Sequence, residues 1–201
     1  MTIAIRLGHK DDVNDISKIH VSCWNEVYSF MPKEVHSIRN LEYRKQQWTT
    51  WFEKRNDEEA LFSIVSDGTV VGFALCKRNN DPSIDAAGEL HAAYILPPFR
   101  GGLVGPTVMS LMSDFLHSKG MWPSCLWAFK QNKHRRFYTA TGWRPLVYRD
   151  RLIAGVGIPE IGYISPDYDT LSLRLERMRA SIAQKQSQPR FQMTCGQAAS
   201  H

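Results

Sequence analysis

Tyr94-Ile-Leu-Pro-Pro-Phe-Arg100-Gly-Gly-Leu-Val-Gly105 is the stretch on which the reading of this chain turns. An apolar, strand-like run ends at Pro97-Pro98, and a glycine-rich turn led by Arg100 follows. The turn opens into a helical pattern, with Val104, Val108, Leu111, Met112 and Phe115 on one face. Strand, glycine turn and helix N-terminus together make an anion cradle. The first helical N–H groups lack internal partners, the helix dipole is positive there, and glycine lets the backbone approach the ligand. The same pattern also fits an ordinary strand-to-helix turn, because loose glycine spacing is a weak signal on its own.

Upstream, Ile3–Leu7 reads as a first strand, and Asp11 or Asp12 can cap a helix running to Tyr28. The inner side of that helix carries Val13, Ile16, Ile19, Cys23 and Val27. A Ser-Phe-Met-Pro break at Ser29–Pro32 separates it from a second helix, Asn40–Arg55, with Leu41, Arg44, Trp48 and Trp51 at helical spacing. Ala60–Ser66 and Thr69–Lys77 are strands joined by the hairpin dipeptide Asp67-Gly68, and Ala87–Leu96 is the strand that feeds the cradle. Downstream come a strand at Pro123–Phe129, a short helix at Asn132–Thr141, strands at Trp143–Arg149 and Ile158–Ile164, and a last helix from Asp169. A meander followed by strand–helix alternation predicts an α/β (mixed α+β) fold. Its centre is a twisted, mixed, mostly antiparallel sheet with helices on both faces. Residues 1–184 read as one domain and 185–201 as a polar, flexible tail.

Composition narrows the function classes. The chain has 201 residues, 43% of them hydrophobic and 22% charged, as expected of a globular domain. The net charge of +5 belongs largely to the end of the chain, where Arg177–His201 holds Arg177, Arg179, Lys185 and Arg190 and no acid. Without those four, 21 basic residues face 20 acidic ones, so no nucleic-acid surface is expected on the body. No apolar run is long enough for a membrane span, and no secretory signal is visible. Cys23, Cys76, Cys125 and Cys195 are scattered and no HExxH occurs, so reduced thiols, a cytoplasmic location and no bound metal are expected.

Glu89 at the start of the feeding strand, and Phe137-Tyr138-Thr-Ala-Thr-Gly-Trp143 downstream, join the cradle in a constellation. With these residues the chain resembles the GNAT superfamily of acyl-CoA-dependent N-acyltransferases over Ile3–Ser165. Asn132, Phe137, Tyr138 and Gly142 match the family's second signature. In the first, Arg100 and Gly105 match, but Leu103 stands where a glycine is usual and Pro106 follows. The resemblance implies that acetyl-CoA is the co-substrate. Its pyrophosphate would lie on the N–H groups of Arg100, Gly101, Gly102, Leu103, Val104 and Gly105, and its pantetheine along Tyr94, Ile95 and Leu96. Lys130, Lys133, Arg135 and Arg136 lie beyond the next strand, where they would meet its remaining phosphate or form a solvated basic face, and Asn132 counts among the cofactor contacts.

The resemblance also implies that an amine acceptor, a small molecule or a peptide, meets Trp24, Tyr28 and His91. An amine such as lysine, with a pKa of about 10.4, must lose a proton before attack. Glu89 is the candidate base, directly or through water, and Tyr138 the candidate acid for the departing thiolate. Each also fits a packing or ion-pairing role, and Cys125 reads as a core residue. A strand N–H near Ile95 would face the oxyanion. A non-catalytic acyl-CoA-binding module on the same fold is the rival reading, motivated by Leu103 and Pro106. Whether the chain forms a homodimer is not read from the sequence.

Overall fold

The structure, a computed structural model, describes residues 2–187. Strand β1 (Ile3–Leu7) leads through a 3-10 turn at Lys10–Asp12 into α1 (Val13–Val27). Helices α2 (Lys33–Ile38) and α3 (Leu41–Lys54) follow, then the meander β2 (Ala60–Ser66), β3 (Thr69–Arg78) and β4 (Gly88–Ile95). After a 3-10 turn at Pro97–Phe99 come α4 (Val104–Ser118), β5 (Ser124–Phe129) and α5 (Arg135–Thr141). The hairpin β6 (Arg144–Ile153) and β7 (Val156–Ile164) and the helix α6 (Tyr168–Ser187) complete the described chain.

The strands form one seven-stranded sheet in the order β1-β2-β3-β4-β5-β7-β6. All neighbours are antiparallel except β4 and β5. Asp67 and Gly68 both have positive φ, as a tight two-residue hairpin with the twist of the sheet requires. On one face α1 and α3 bury Ile16, Ile19, Cys23 and Trp48 against Phe73 and Leu75. On the other, α4 and α6 bury Val108, Met112, Leu116, Leu171 and Leu175 against Ala74, Cys76 and Leu90. The expected stripe on α4 is turned slightly: Met109 and Leu116 are buried, while Leu111 and Phe115 lie at its edge. A third cluster joins Trp24, Tyr28, Met31 and Val35 to Phe129, Ile153 and Ile158, tying the α1–α2 corner to the far half of the sheet.

Three expectations need correction. The break after Tyr28 contains the one-and-a-half-turn helix α2, too short to show a period in the sequence. The helix expected from Asn132 begins at Arg135, because Asn132 Oδ1 accepts from the His134 N–H (2.9 Å) and shapes a turn. Helix α6 continues to Ser187, so the first three residues assigned to the tail are helical. The rest of that tail, with Arg190 and Cys195, lies outside the described residues.

The β4–β5 contact positions the site. The two strands pair only at Gly88↔Ser124 and Glu89↔Cys125. On its other side, β4 shifts register against β3 so that Leu75 faces Ala92, Cys76 faces Leu90, and His91 is left over as a bulge. A bulge bends and twists its strand. From Leu90 onward β4 has no partner in β5, and a slot opens through the sheet.

The corner below β1 is held by Asp12, which is 6% exposed. Its carboxylate accepts two 2.7 Å bonds from Arg6, one from the His9 N–H (2.9 Å) and one from Ser63 Oγ (2.7 Å). Burial alone would raise its pKa; Arg6, His9 and Ser63 outweigh it and hold the carboxyl at about 2. Because the folded value is depressed, this stabilisation is complete above the unfolded value of 3.8 and disappears as pH falls towards 2. Asp12→Ala should therefore cost about 2 kcal/mol in urea unfolding at neutral pH. The difference from wild type should shrink below pH 3.8; a difference unchanged at low pH would show that the ionised carboxylate is not its source.

Candidate active site

The turn between β4 and α4 is a cradle of free donors. Gly101 and Gly102 have φ of +86° and +55°, which side-chain-bearing residues rarely adopt. Leu103, which stands where a glycine is usual, has φ −78° and ψ −17°, an ordinary helical conformation, and its side chain points outward at 37% exposure. Pro106 occupies the first turn of α4, where no intrahelical acceptor would have been available to its missing N–H. None of the N–H groups from Gly101 to Gly105 finds an acceptor among the described residues. Donors without acceptors at a helix N-terminus make a site for an anion.

Arg100 does not point into this cradle. Its guanidinium binds Glu26 (2.7 and 2.5 Å) and the Ile95 carbonyl (2.6 Å), anchoring the turn to α1. Lys133 Nζ is 3.6 Å from the same Glu26, so one carboxylate links α1, the cradle and the β5–α5 loop. Arg135 donates to the Tyr163 hydroxyl (3.3 Å), and its Nε is buried without a partner. Lys130 and Arg136 are exposed. Of the four basic residues expected around the outer phosphate, Lys133 and Arg135 make contacts within the fold, while Asn132 lines the cavity.

From the cradle the slot widens into a cavity of about 580 Å³ that passes through the sheet. Gly101, Gly102, Gly105, Val108, Met112, Phe137 and Tyr138 line one end, with Met178 and Ile182 of α6. Trp24, Tyr28, Arg39, Arg44, Gln47, Arg151 and Ile153 line the other. Glu89, His91, Tyr94 and Ile95 on β4 connect the two ends. The structure thus brings together Glu89, Tyr138, Trp24, Tyr28, His91, the Tyr94–Ile95 edge and the cradle glycines. Leu96, Leu103 and Val104 are not among the residues that line the cavity.

Glu89 is 9% exposed. Its Oε1 accepts from His91 Nδ1 at 2.8 Å, and Lys77 Nζ lies 3.7 Å from Oε2. Burial opposes ionisation, but His91, then Lys77 and Arg151, outweigh it and hold the carboxyl below its ordinary value. The carboxylate can only accept, so this bond requires a proton on His91 Nδ1. His91 lies two residues after Glu89, so the two side chains share a strand face, and the ring reaches the carboxylate there.

Burial pushes the Tyr138 phenol up to about 12, with Tyr94 and Tyr163 acting in the same direction, so it keeps its proton. Burial likewise raises the Tyr28 hydroxyl well above its ordinary value. Cys125 is buried, and its thiol is driven up to about 12, so it is a core thiol and not a nucleophile.

Sequence reading missed Arg39 and the α6 residues Met178 and Ile182 as cavity lining. Arg44 did leave a signal, an arginine on the apolar stripe of α3. No cluster of three or more His, Cys, Asp or Glu capable of holding a metal occurs among the described residues, and no helix there is long and apolar enough to cross a membrane.

Comparison with known proteins agrees with this geometry. The sequence model of the acetyltransferase (GNAT) family matches residues 14–143, more than half of the chain. The uncharacterised N-acetyltransferase YuaI of Bacillus subtilis is 26% identical over 176 residues, 87% of this chain and 99% of that protein. An uncharacterised N-acetyltransferase of Archaeoglobus fulgidus is 25% identical over 143 residues, 70% of this chain and 92% of that protein. Among solved structures, the PaiA N-acetyltransferase of Thermoplasma acidophilum in complex with coenzyme A superposes with a TM-score of 0.65 at 19% identity. That alignment covers 82% of this chain and 100% of PaiA. YncA of Salmonella typhimurium with acetyl-CoA gives 0.60 at 14% identity, covering 83% and 99% of the two chains.

The Glu89–His91 pair has a spectroscopic signature. Nitrogen-15 shifts of His91 at neutral pH should report the Nδ1–H tautomer. A dominant Nε2–H tautomer would mean that the ring does not donate to Glu89.

Proposed function

The chain belongs to the acetyltransferase (GNAT) family, and on that premise we propose that it transfers the acetyl group of acetyl-CoA to a primary amine by direct attack in a ternary complex. The observation that carries this reading is the parting of β4 from β5 immediately after Glu89, in line with five unpaired N–H groups at Gly101–Gly105. A ligand with a pyrophosphate at one end, amides in its arm and a thioester at its tip fits that sequence of features. The cradle donors take the pyrophosphate. The free edge of β4 from Leu90 to Ile95 offers the pantetheine amides a strand to pair with. Asn132, at the opposite rim, completes the channel.

The acceptor amine comes from the α1–α3 side, between Trp24, Tyr28 and His91. Glu89 removes its proton, through His91 Nε2 or a water, because the carboxylate itself is held by His91 and Lys77. A β4 N–H near Ile95 faces the oxygen on which negative charge develops. Tyr138 donates a hydrogen bond to the departing sulfur. At a pKa of about 12 it gives up its proton reluctantly. Full transfer to a thiolate of pKa about 8.5 is therefore completed with the proton the amine releases. A non-catalytic acyl-CoA-binding module is the alternative. Its motive was the pair Leu103 and Pro106, and the backbone accommodates both without losing the cradle donors.

Tyr138→Phe should lower kcat on the order of 100-fold in a thiol-release assay, with CoA affinity little changed; unchanged turnover would remove Tyr138 from the chemistry. Gly105 has room for a side chain, the nearest atom to an added Cβ being Phe137 Cζ at 3.8 Å. Gly105→Glu should therefore fold yet abolish the thermal stabilisation given by CoA, because its carboxylate enters the pyrophosphate site. Retained stabilisation would relocate the cradle.

A further inference from the structure

A guanidinium without a counter-ion is buried at the acceptor end of the cavity. Arg44 on α3 is 2% exposed. Its Nη1 donates to Gln47 Oε1 at 2.8 Å, while Nε and Nη2 have no partner. The group sits over Trp24 and Tyr43, 5.1 and 5.5 Å from their ring centroids. Arg39 lies over the same two rings, at 5.9 and 5.0 Å. Its Nη1 donates to the Tyr43 hydroxyl (2.8 Å) and its buried Nε has no partner. Among the described residues no carboxylate forms an ion pair with either arginine.

Buried charges are ordinarily paired, and two like charges sharing one aromatic shelf raise the cost further. The acids of the same cavity are already neutralised. Glu89 is held by His91 and Lys77, and Glu160 by Arg149 (2.8 Å) and Arg151 (3.7 Å). His20, next to Arg44, adds no charge: Trp48 Nε1 donates to its Nδ1 (3.2 Å), and burial keeps the ring neutral. The cavity therefore presents unbalanced positive charge at one place only.

We infer that the acceptor is an amine that also bears a carboxylate, bound by Arg44 and Arg39 with its amino group directed to Glu89 and His91. The guanidinium fork suits a planar carboxylate, and the shelf of Trp24, Tyr28 and Tyr43 suits an apolar side chain beside it. Burial pulls Arg44 down to about 10, so it stays charged at neutral pH and gains most when an anion arrives. A simple alkylamine or polyamine would leave both arginines unpaired and bring a further positive charge.

This inference rests on the acetyl-transfer reading, and matched acceptors separate the two. With saturating acetyl-CoA, thiol release is measured for phenylalanine against phenethylamine and for leucine against isoamylamine. The amino acids should exceed their decarboxylated partners by about 10- to 100-fold in kcat/KM. In Arg44→Met that ratio should collapse towards one, and Arg44→Lys should keep part of it. Equal turnover of acid and amine, or a ratio that survives Arg44→Met, overturns the carboxylate site while leaving acetyl transfer standing. If no amine is acetylated, the acetyl-transfer reading fails. Calorimetric titration of N-acetylphenylalanine against N-acetylphenethylamine then decides the anion site alone. Binding of the acid only, lost in Arg44→Met with its circular dichroism unchanged, upholds it; equal binding, or none, overturns it.

Discussion

The structure depends on a pairing that stops. β4 and β5 share two residue pairs and then diverge, in the middle of a sheet whose other neighbours pair along most of their lengths. Unpaired backbone in a protein interior is costly, and the fold tolerates it because the gap lines a cavity. Both faces around the gap are covered by independent cores, α1 with α3 and α4 with α6, so the sheet does not need the missing pairs to hold together. The slot is thus a built opening in an otherwise closed sheet. What fills it must supply the hydrogen bonds that the strands withhold from each other.

The bulge at His91 does more than open the slot. Glu89 and Tyr94 are five residues apart, and a regular strand would send them to opposite faces. Their partners on β3, Lys77 and Phe73, are four apart and share a face. One extra residue in β4 therefore turns both Glu89 and Tyr94 towards α1 and α3. His91, two residues after Glu89, keeps to the same side and meets its carboxylate. Glu89, its imidazole partner and Tyr94 thus face one wall of the cavity.

This explains which parts of the molecule were legible in the sequence. The meander, the cradle and the stripes of α1 and α4 are local patterns, written in turn dipeptides and periodicity, and they reappear within a residue or two. Glu89 and Tyr138 were singled out through resemblance to a family, and both line the cavity. The bulge was not, because nothing in Glu-Leu-His-Ala-Ala says which residue will be skipped; the register is set by β3. The contacts of the loop charges were not legible for a related reason. Lys133 and Arg100 meet on Glu26, a residue more than 70 positions away from either in sequence, and only the tertiary fold makes them neighbours. Leu103 was read as a departure because the motif counts positions, whereas the backbone requires positive φ, and Gly101 and Gly102 supply it.

The charges of the cavity extend the same reasoning from geometry to electrostatics. A sequence tuned for stability alone would replace Arg44, since an unpaired buried ion gives less than an apolar side chain of similar volume. Fold-level consistency is most often broken where function requires it. Arg44 breaks it on a helix face where Trp48 and Trp51 obey it, and Trp24 and Tyr43 shield the cation without neutralising it. Glu160, equally buried on the opposite wall, is held by Arg149 and Arg151, so the fold can supply counter-ions where it needs them. The absence of one beside Arg44, among the described residues, is the gap that the inferred carboxylate of the acceptor would fill.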